Sequence, residues 1–277
     1  MQSRRSFLKL IASSATIPLL TSCAGSRNIS PRRHRLLYSF LFANDIHITT
    51  DKHAKYFEES ITNWSTFPQL YDFVVICGDM GNFGMAKELE KVRNLCEELE
   101  KPMYPVIGNH DVAGPGEEGK IGYRRVFGTN RENYTIKHKG TVLMFLDLTE
   151  GMQPNVSIQQ HTIDWVSQTL QTISEKTPII VFSHFPLHPD TPKYGVKNTV
   201  PLFKLLDTRR VIAYFSGHYH GNWQSTRNGV PFFTNTCLSL KRDNHDNTPD
   251  EGYKLVFVFT DTVEAHFFKR GASPVGG

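Results

Sequence analysis

The sequence predicts an α/β protein, a four-layer α-β-β-α sandwich with two mixed sheets, and three observations lead to this fold class. Apolar runs of strand length alternate with amphipathic helical stretches early in the 277-residue chain, which is the order of a parallel sheet with crossover helices. The last part contains short strands close together, which add antiparallel neighbours. Several runs are apolar throughout, so we expect two sheets to pack back to back with helices outside them.

Five elements follow one another in β-α-β-α-β order at the start of the predicted domain. Residues 36–43 form an apolar, aromatic-rich run that ends at a polar dipeptide, which indicates a buried strand. Residues 52–67 have the apolar spacing of a helix, and residues 73–77 form a second buried strand. Residues 85–100 form a charged amphipathic helix, and a third strand follows at residues 103–107.

The remaining elements extend the second sheet and complete the first. Residues 134–138 and 142–147 predict a hairpin around a Lys-Gly turn. Helices are predicted at residues 158–174 and, after proline-rich turns, at residues 200–206. The other predicted strands lie at residues 179–183, 211–216, 224–227, 231–235, 253–259 and 263–268. Residues 241–252 are polar and rich in Asp and Asn, which is typical of a mobile loop.

The composition, 39% apolar and 21% charged, fits one sizeable core. It excludes a collagen-like chain, a disulfide-dense miniprotein and a membrane protein with several spans. The net charge of +4 is concentrated near the N-terminus, because residues 36–277 contain 24 basic and 27 acidic residues. A mildly acidic domain of this kind is not expected to bind nucleic acid, and the oligomeric state is left open.

The first 35 residues are predicted to be a targeting segment rather than part of the folded domain. Arg4 and Arg5, followed by Phe-Leu-Lys and a modest apolar stretch, resemble a twin-arginine export signal. The segment Leu-Thr-Ser-Cys that ends at Cys23 resembles a bacterial lipoprotein box, which implies cleavage before Cys23 and its acylation. We therefore expect a signal peptide at 1–22, a flexible tether with lipidated Cys23 at 23–35 and a folded domain at 36–270.

This resemblance also implies a location. Proteins with such signals are exported in the folded state, so we expect a bacterial periplasmic or cell-surface protein that contacts the membrane only through its lipid anchor. A plain N-terminal helix with a chance Arg pair is the alternative interpretation.

Polar clusters follow the predicted strands at the edge where ligand sites collect in α/β sheets. The five clusters are Asp45-Ile46-His47, Gly78-Asp79, Gly108-Asn109-His110-Asp111, Ser183-His184 and Gly217-His218-Tyr219-His220. On extended backbone, residues i and i+2 face one side, so each of the Asp-x-His and His-x-His pairs is expected to point at one centre. Two carboxylates, four imidazoles and one amide suit two divalent ions. This ligand set fits Mn, Fe, Zn, Co or Ni better than Cu(I) or Ca, and we expect Mn, Fe or Zn.

Taken together and in this order, the clusters resemble the calcineurin-like metallophosphoesterase family, whose pattern is DxH, GD, GNH[DE], H and GHxH. The resemblance covers roughly residues 37–268. It implies a metal site at the strand C-terminal ends in which Asp79 bridges two ions. By position, the first ion would be held by Asp45, His47 and His220, and the second by Asn109, His184 and His218.

The family resemblance also implies a reaction, the hydrolysis of a phosphomonoester or a phosphodiester through attack on phosphorus by a metal-bridged hydroxide. His110 would act as the general acid beside the leaving group, Asn109 and His110 would contact the substrate, and Asp111 would orient His110 through a hydrogen bond. A nuclease of the same fold and a catalytically silent metal-binding scaffold are the alternatives.

Other residues have simpler interpretations. The GDxxDRG block of Ser/Thr protein phosphatases is absent, and Asn82 stands where purple acid phosphatases have a Tyr ligand, so a purple iron centre is not expected.

For Lys241, Arg242 and His245, solvated charge is favoured over substrate contact. Trp64 and Trp165 match the apolar positions of helices and are expected in the core.

Overall fold

A computed structural model describes residues 35–114 and 116–275 of the chain. The predicted signal peptide, Cys23 and all but the last residue of the predicted tether lie outside the described residues. Among the helices that the structure describes, none combines the length and the apolar character needed to span a bilayer.

The strands within the described ranges are numbered in chain order. They are β1 (Leu36–Ala43), β2 (Phe73–Cys77), β3 (Met103–Val106), β4 (Tyr134–His138), β5 (Thr141–Leu146), β6 (Ile179–Ser183), β7 (Val211–Ser216), β8 (Gln224–Arg227), β9 (Val230–Thr234), β10 (Gly252–Phe259) and β11 (Val263–Lys269). Every strand predicted from the sequence is present, with ends that agree to within one residue.

Whereas the sequence predicts four helices, the structure has six α-helices over the described residues. They are α1 (Asp51–Trp64), α2 (Ala86–Glu97), α3 (Gly116–Gly119), α4 (Ile121–Phe127), α5 (Gln160–Gln171) and α6 (Val200–Leu206), with single 3₁₀ turns at Pro68–Leu70 and Asn109–Asp111.

The strands form two mixed sheets, as the sequence predicts. The first has the order β11-β10-β1-β2-β3, in which β1, β2 and β3 are parallel and β10 runs antiparallel to β1 and β11. The second has the order β4-β5-β6-β7-β9-β8, with β5, β6, β7 and β9 parallel and the two edge strands antiparallel. The parallel strands of each sheet bring their C-terminal ends to one edge.

Three apolar clusters separate the four layers. Alternation along β1 turns Phe40 and Phe42 towards the second sheet, and Leu41 and Ala43 towards the first sheet's outer helices. Between the sheets, aromatic rings stack across neighbouring strands, with the ring centres of Phe40 and Phe73 5.0 Å apart. The second sheet packs its other face against α5 and α6. This arrangement confirms the predicted α-β-β-α sandwich.

Helix ends account for the main differences from prediction. The helix expected over residues 52–67 ends at Trp64, because the backbone N–H groups of Thr66 and Phe67 bond three residues back, as in a 3₁₀ turn. Buried Phe67 belongs to that turn and extends the apolar spacing beyond the helix. Trp64 is fully buried, as expected, whereas Trp165 is only partly buried.

The first sheet contains one buried lysine, Lys254 of β10, whose ammonium donates to the Asn222 side-chain oxygen. Burial lowers the pKa of Lys254 from 10.5 to about 8, so the folded protein still buries a charged ammonium at neutral pH. Between about pH 8 and pH 10.5 the folded protein loses this proton while the unfolded chain keeps it, so the free energy of unfolding rises with pH over that range.

Replacement of Lys254 with Met is therefore expected to raise the free energy of unfolding at pH 7 by about 1–3 kcal/mol. The gain should be much smaller at pH 10, where unfolded wild-type chains also begin to lose the proton. Urea unfolding of both proteins at the two pH values measures the difference, and an equal gain at both would contradict the assignment.

Candidate metal centre

All seven predicted ligands lie where strands end, and none exposes more than 7% of its surface. One group of potential ligand atoms, all within 4.8 Å of one another, comes from Asp45, His47 and His220. A second group within the same limit comes from Asp79, His184 and His218. Side chains separated by up to 175 positions in the sequence therefore form two adjoining clusters.

Asp79 lies between the two clusters. Its Oδ2 is 3.5 Å from His47 Nε2, while its Oδ1 is 3.3 Å from His184 Nε2. Oδ1 also accepts the His110 backbone N–H at 2.8 Å. Each oxygen of one carboxylate thus faces a different cluster, which is the position a bridging ligand requires.

Backbone carbonyl groups fix the orientation of three imidazole rings. His184 Nδ1, His218 Nε2 and His220 Nδ1 lie 2.9, 2.8 and 3.1 Å from carbonyl oxygens, so each of these nitrogens carries the proton. Their carbonyl partners are, in the same order, those of Cys77, Pro154 and Asp243. The other nitrogen of each ring then presents a lone pair to the clusters, as metal-binding histidines do.

Unsatisfied acceptors test whether these residues fit metal ions. Asp45 Oδ1, Asn109 Oδ1, His184 Nε2 and both ring nitrogens of His47 are buried and have no hydrogen-bond partner in the described chain. His220 Nε2 and Asp45 Oδ1, both acceptors in this tautomer, face each other at 3.0 Å. Two acceptors at that distance require a proton or a cation between them. The donor set therefore fits divalent ions.

The pKa values of the cluster residues also indicate that the site favours bound positive charge. Burial opposes the ionisation of Asp45 and Asp79. The positive charge of a neighbouring histidine outweighs burial in each case, and it holds both pKa values below the ordinary range. The histidine is His220 for Asp45 and His184 for Asp79. Burial lowers the pKa of His47 to about 3. Although burial opposes it, the charges of Asp79 and Asp45 raise the pKa of His184 to about 9. The carboxylates are thus ionised, and metal ions would replace the protons shared with them.

The backbone at the site differs from the extended form that the sequence predicts. Asp45, His47, Asp79, His218 and His220 have φ values of 55°, 53°, 53°, 61° and 46°. The expectation that the Asp-x-His and His-x-His pairs lie on extended backbone was wrong. Asp45 and His47 still belong to one cluster, whereas His220 belongs to the first cluster and His218 to the second, so the His-x-His pair does not point at a single centre. Left-handed conformations of non-glycine residues cost of order 1–3 kcal/mol each and concentrate at functional sites.

Two glycines leave the space that the ligands occupy. A Cβ on Gly78 would lie 2.3 Å from the His184 ring, and a Cβ on Gly108 would lie 2.3 Å from Asp79 Oδ1. Gly78 also has a φ of +85°, which favours glycine for a second reason. The GD and GNH motifs thus require glycine because a ligand side chain lies against each.

His110 reaches the edge of the site, but Asp111 does not orient it as expected. His110 Nδ1 donates to the Asn82 carbonyl at 3.0 Å, which leaves Nε2 as an acceptor. The Asp111 carboxylate instead accepts backbone N–H groups of Met80, Gly81 and Gly108 at 2.8–3.0 Å. Its role in the structure is to hold together the two loops that carry Asp79 and Asn109.

Sequence reasoning missed the contribution of the loop at 241–252. Arg242 was interpreted as solvated charge, yet its Nη2 donates to Asn82 Oδ1 at 3.0 Å and lies 3.4 Å from His110 Nε2. His245, also interpreted as solvated, stacks on His220 with ring centres 5.0 Å apart, whereas Lys241 is exposed. The one available signal was the position of this loop, which follows the two strands after the GHxH motif and leads into β10.

Comparison with known proteins finds related sequences. The mouse serine/threonine-protein phosphatase CPPED1 is 25% identical over 228 residues, which cover 74% of this chain and 70% of that protein. The glycerophosphodiester phosphodiesterase GpdQ of Enterobacter lignolyticus (strain SCF1) is 26% identical over 156 residues, 54% of this chain and 56% of that protein.

Solved structures show the same fold. A dimetal phosphatase from Danio rerio superposes with a TM-score of 0.67 at 14% identity, covering 85% of this chain and 97% of that one. The family model of calcineurin-like phosphoesterases matches residues 38–222, more than half of the sequence. The chain therefore belongs to the calcineurin-like phosphoesterase family.

Proposed function

We propose that the chain is a metal-dependent hydrolase of small phosphorylated substrates, acting on phosphomonoesters or phosphodiesters. One observation carries the proposal: two adjoining clusters of buried N and O ligands, several of them without a hydrogen-bond partner in the described chain, share the Asp79 carboxylate. Family membership supports phosphoric ester hydrolysis as the reaction class.

Two ions would be held by side chains that the sequence identified. The first would contact Asp45, His47 and His220, and the second Asn109, His184 and His218, with Asp79 contacting both. The set contains imidazole, carboxylate and amide but no thiolate, which suits Mn, Fe or Zn. When bound, a pair of such ions supplies Lewis-acid chemistry at the phosphoryl group.

Residues of the chain itself would position the substrate and move one proton. Asn109 Nδ2 donates to the Met152 carbonyl at 3.2 Å, and its Oδ1 is buried without a hydrogen-bond partner in the described chain, which leaves it free to bind an ion. His110 Nδ1 stays bonded to the Asn82 carbonyl, so the ring can take up and release a proton only at Nε2. A proton delivered from His110 Nε2 to the departing alkoxide spares the leaving group from departing as a strong base.

We also propose that the protein is exported in the folded state and anchored by a lipid at Cys23 to a bacterial membrane. The support comes from the Arg4-Arg5 pair and the segment that ends at Cys23. A nucleic-acid substrate is not proposed, because acidic residues outnumber basic ones over residues 36–277.

Hydrolysis of p-nitrophenyl phosphate and bis-p-nitrophenyl phosphate, in protein loaded with Mn, Fe or Zn, tests the proposed function. We expect turnover of at least one ester. Replacement of His110 with Ala should lower turnover of an ester with an alkoxide leaving group, such as methyl phosphate, by about 10²- to 10⁴-fold. The two p-nitrophenyl esters should be affected much less, because p-nitrophenolate departs as a weak base, and the bound metal should stay unchanged. His161→Ala, which alters an exposed residue of α5, is the control.

Two results would count against these assignments. Metal-loaded protein that hydrolyses neither ester would fit the silent scaffold and contradict the proposed activity. Loss of bound metal from the His110→Ala variant would show that His110 is a ligand rather than the proton donor.

A further inference from the structure

We propose that Arg242 binds the phosphoryl group of the substrate and makes the site selective for phosphomonoesters over phosphodiesters. The inference rests on the proposed function and narrows its substrate class. It is carried by the position of Arg242, by the lack of an anionic partner for its charge and by the chemistry of the two ester classes.

The loop that carries Arg242 is tied to the metal centre. His220 Nδ1 donates to the Asp243 carbonyl at 3.1 Å, and the His245 backbone N–H donates to the His220 carbonyl at 2.8 Å. Within the loop, the Asn244 side chain donates to the carbonyl groups of Thr248 and Asp250. Arg242 therefore extends from a segment whose two sides are fixed to a predicted ligand.

The Arg242 guanidinium group points at the substrate side of the centre. Its Nη2 contacts Asn82 Oδ1 at 3.0 Å and His110 Nε2 at 3.4 Å. His110 Nε2 is the atom proposed to protonate the leaving group. The Arg242 guanidinium beside it therefore lies within reach of a phosphoryl group bound at the clusters. The His110 and His47 ring centres are 4.9 Å apart, so this position adjoins the first cluster.

The positive charge of Arg242 has no carboxylate partner within 4.0 Å in the part of the chain that the structure describes. Five other arginines do pair with a carboxylate: Arg93, Arg124, Arg209, Arg227 and Arg270. Arg242 is half-buried, and its Nε is buried without an acceptor. A partly desolvated guanidinium without a counter-charge is unfavourable, and an anionic substrate would remove that penalty.

The two ester classes differ in the features that a guanidinium recognises. A phosphomonoester has three non-bridging oxygens and, with a second pKa near 6, carries close to two negative charges at pH 7. A phosphodiester has two non-bridging oxygens and one negative charge. Arginine donors form strong, directional hydrogen bonds to phosphoryl oxygens, and the attraction increases with the charge they carry. Arg242 should thus favour the monoester.

The test uses Arg242→Ala and Arg242→Lys in the full, Mn-loaded protein. We expect kcat/KM for p-nitrophenyl phosphate to fall about 10- to 100-fold in the Ala variant. The value for bis-p-nitrophenyl phosphate should change by less than about threefold, and Lys should restore part of the monoester activity. Arg209→Ala is the matched control, since Arg209 is also half-buried with an unpaired Nε but contacts the Ile173 carbonyl and Glu175.

Binding of inorganic phosphate, measured by calorimetry on Mn-loaded protein, supplies a readout that does not depend on turnover. Its affinity should fall about tenfold or more in Arg242→Ala and stay unchanged in Arg209→Ala. Equal losses of activity towards both esters, or unchanged phosphate affinity, would overturn the assignment. If wild-type protein hydrolyses neither ester, the proposed activity fails, and the phosphate titration still decides whether Arg242 binds the anion.

Discussion

Replacement of Asp79 with Asn is expected to lower turnover by at least about 10³-fold, the upper range for loss of one electrostatic group in a site. The reason is position: the two oxygens of Asp79 face His47 on one side and His184 on the other. The amide keeps the shape but loses the negative charge and one acceptor. We therefore expect the metal content to fall as well, from two ions per chain to one or none.

Metal analysis and a thermal shift on addition of Mn provide the measurements. Wild-type protein should gain thermal stability with Mn, since an ion that binds only the folded state stabilises it, and Asp79→Asn should gain much less. Asp72→Asn is the matched control. Asp72 lies at the other end of β2 from Asp79, and its carboxylate pairs with His138 and Lys139 rather than with the clusters. Two tightly bound ions in the Asp79 variant would contradict the bridging role.

Replacement of Gly78 with Ala should destabilise the fold by about 2–5 kcal/mol, because two separate penalties combine there. The left-handed φ of +85° opposes any L side chain, and the new Cβ would lie 2.3 Å from His184 Nδ1. The His184 ring would have to move, together with its bond to the Cys77 carbonyl. We expect weaker metal binding as a second consequence.

Gly140→Ala separates the two penalties. Gly140, in the turn between β4 and β5, has a φ of +84°, and a Cβ there would meet nothing within 4 Å. Its replacement should cost only the backbone term, about 1–2 kcal/mol. Urea unfolding with a chelator present compares the variants without a contribution from bound metal. Equal losses of stability at both positions would show that the close approach of His184 contributes nothing.

The strands could be predicted because each is an apolar run bounded by polar or turn residues, and burial on both faces leaves little ambiguity. Helix ends were less certain, because apolar spacing continues into the turns that follow. Glu100, the last residue of one predicted helix, has a φ of 53°, so the chain has already left the helix at Glu97. Helices α3 and α4 were missed because residues 116–127 are short, glycine-containing and weakly patterned.

The identities of the predicted ligands followed from motif order and from their position after strands. Their backbone conformation did not, because a left-handed Asp45 or His218 is stable only when the surrounding fold imposes it. The partners of Asp111 and Arg242 depend on contacts between loops 31 and 160 positions apart, and local sequence carries no signal for them. Charge alone therefore suggested a solvated Arg242.

An anomalous difference map from crystals grown with Mn tests the central claim, that these side chains converge on a pair of ions. We expect two peaks on opposite sides of the Asp79 carboxylate, with ligand distances of about 2.0–2.3 Å. The first peak should contact Asp45, His47 and His220, and the second Asn109, His184 and His218. A single peak, or none among these atoms, would contradict a two-ion centre in this protein.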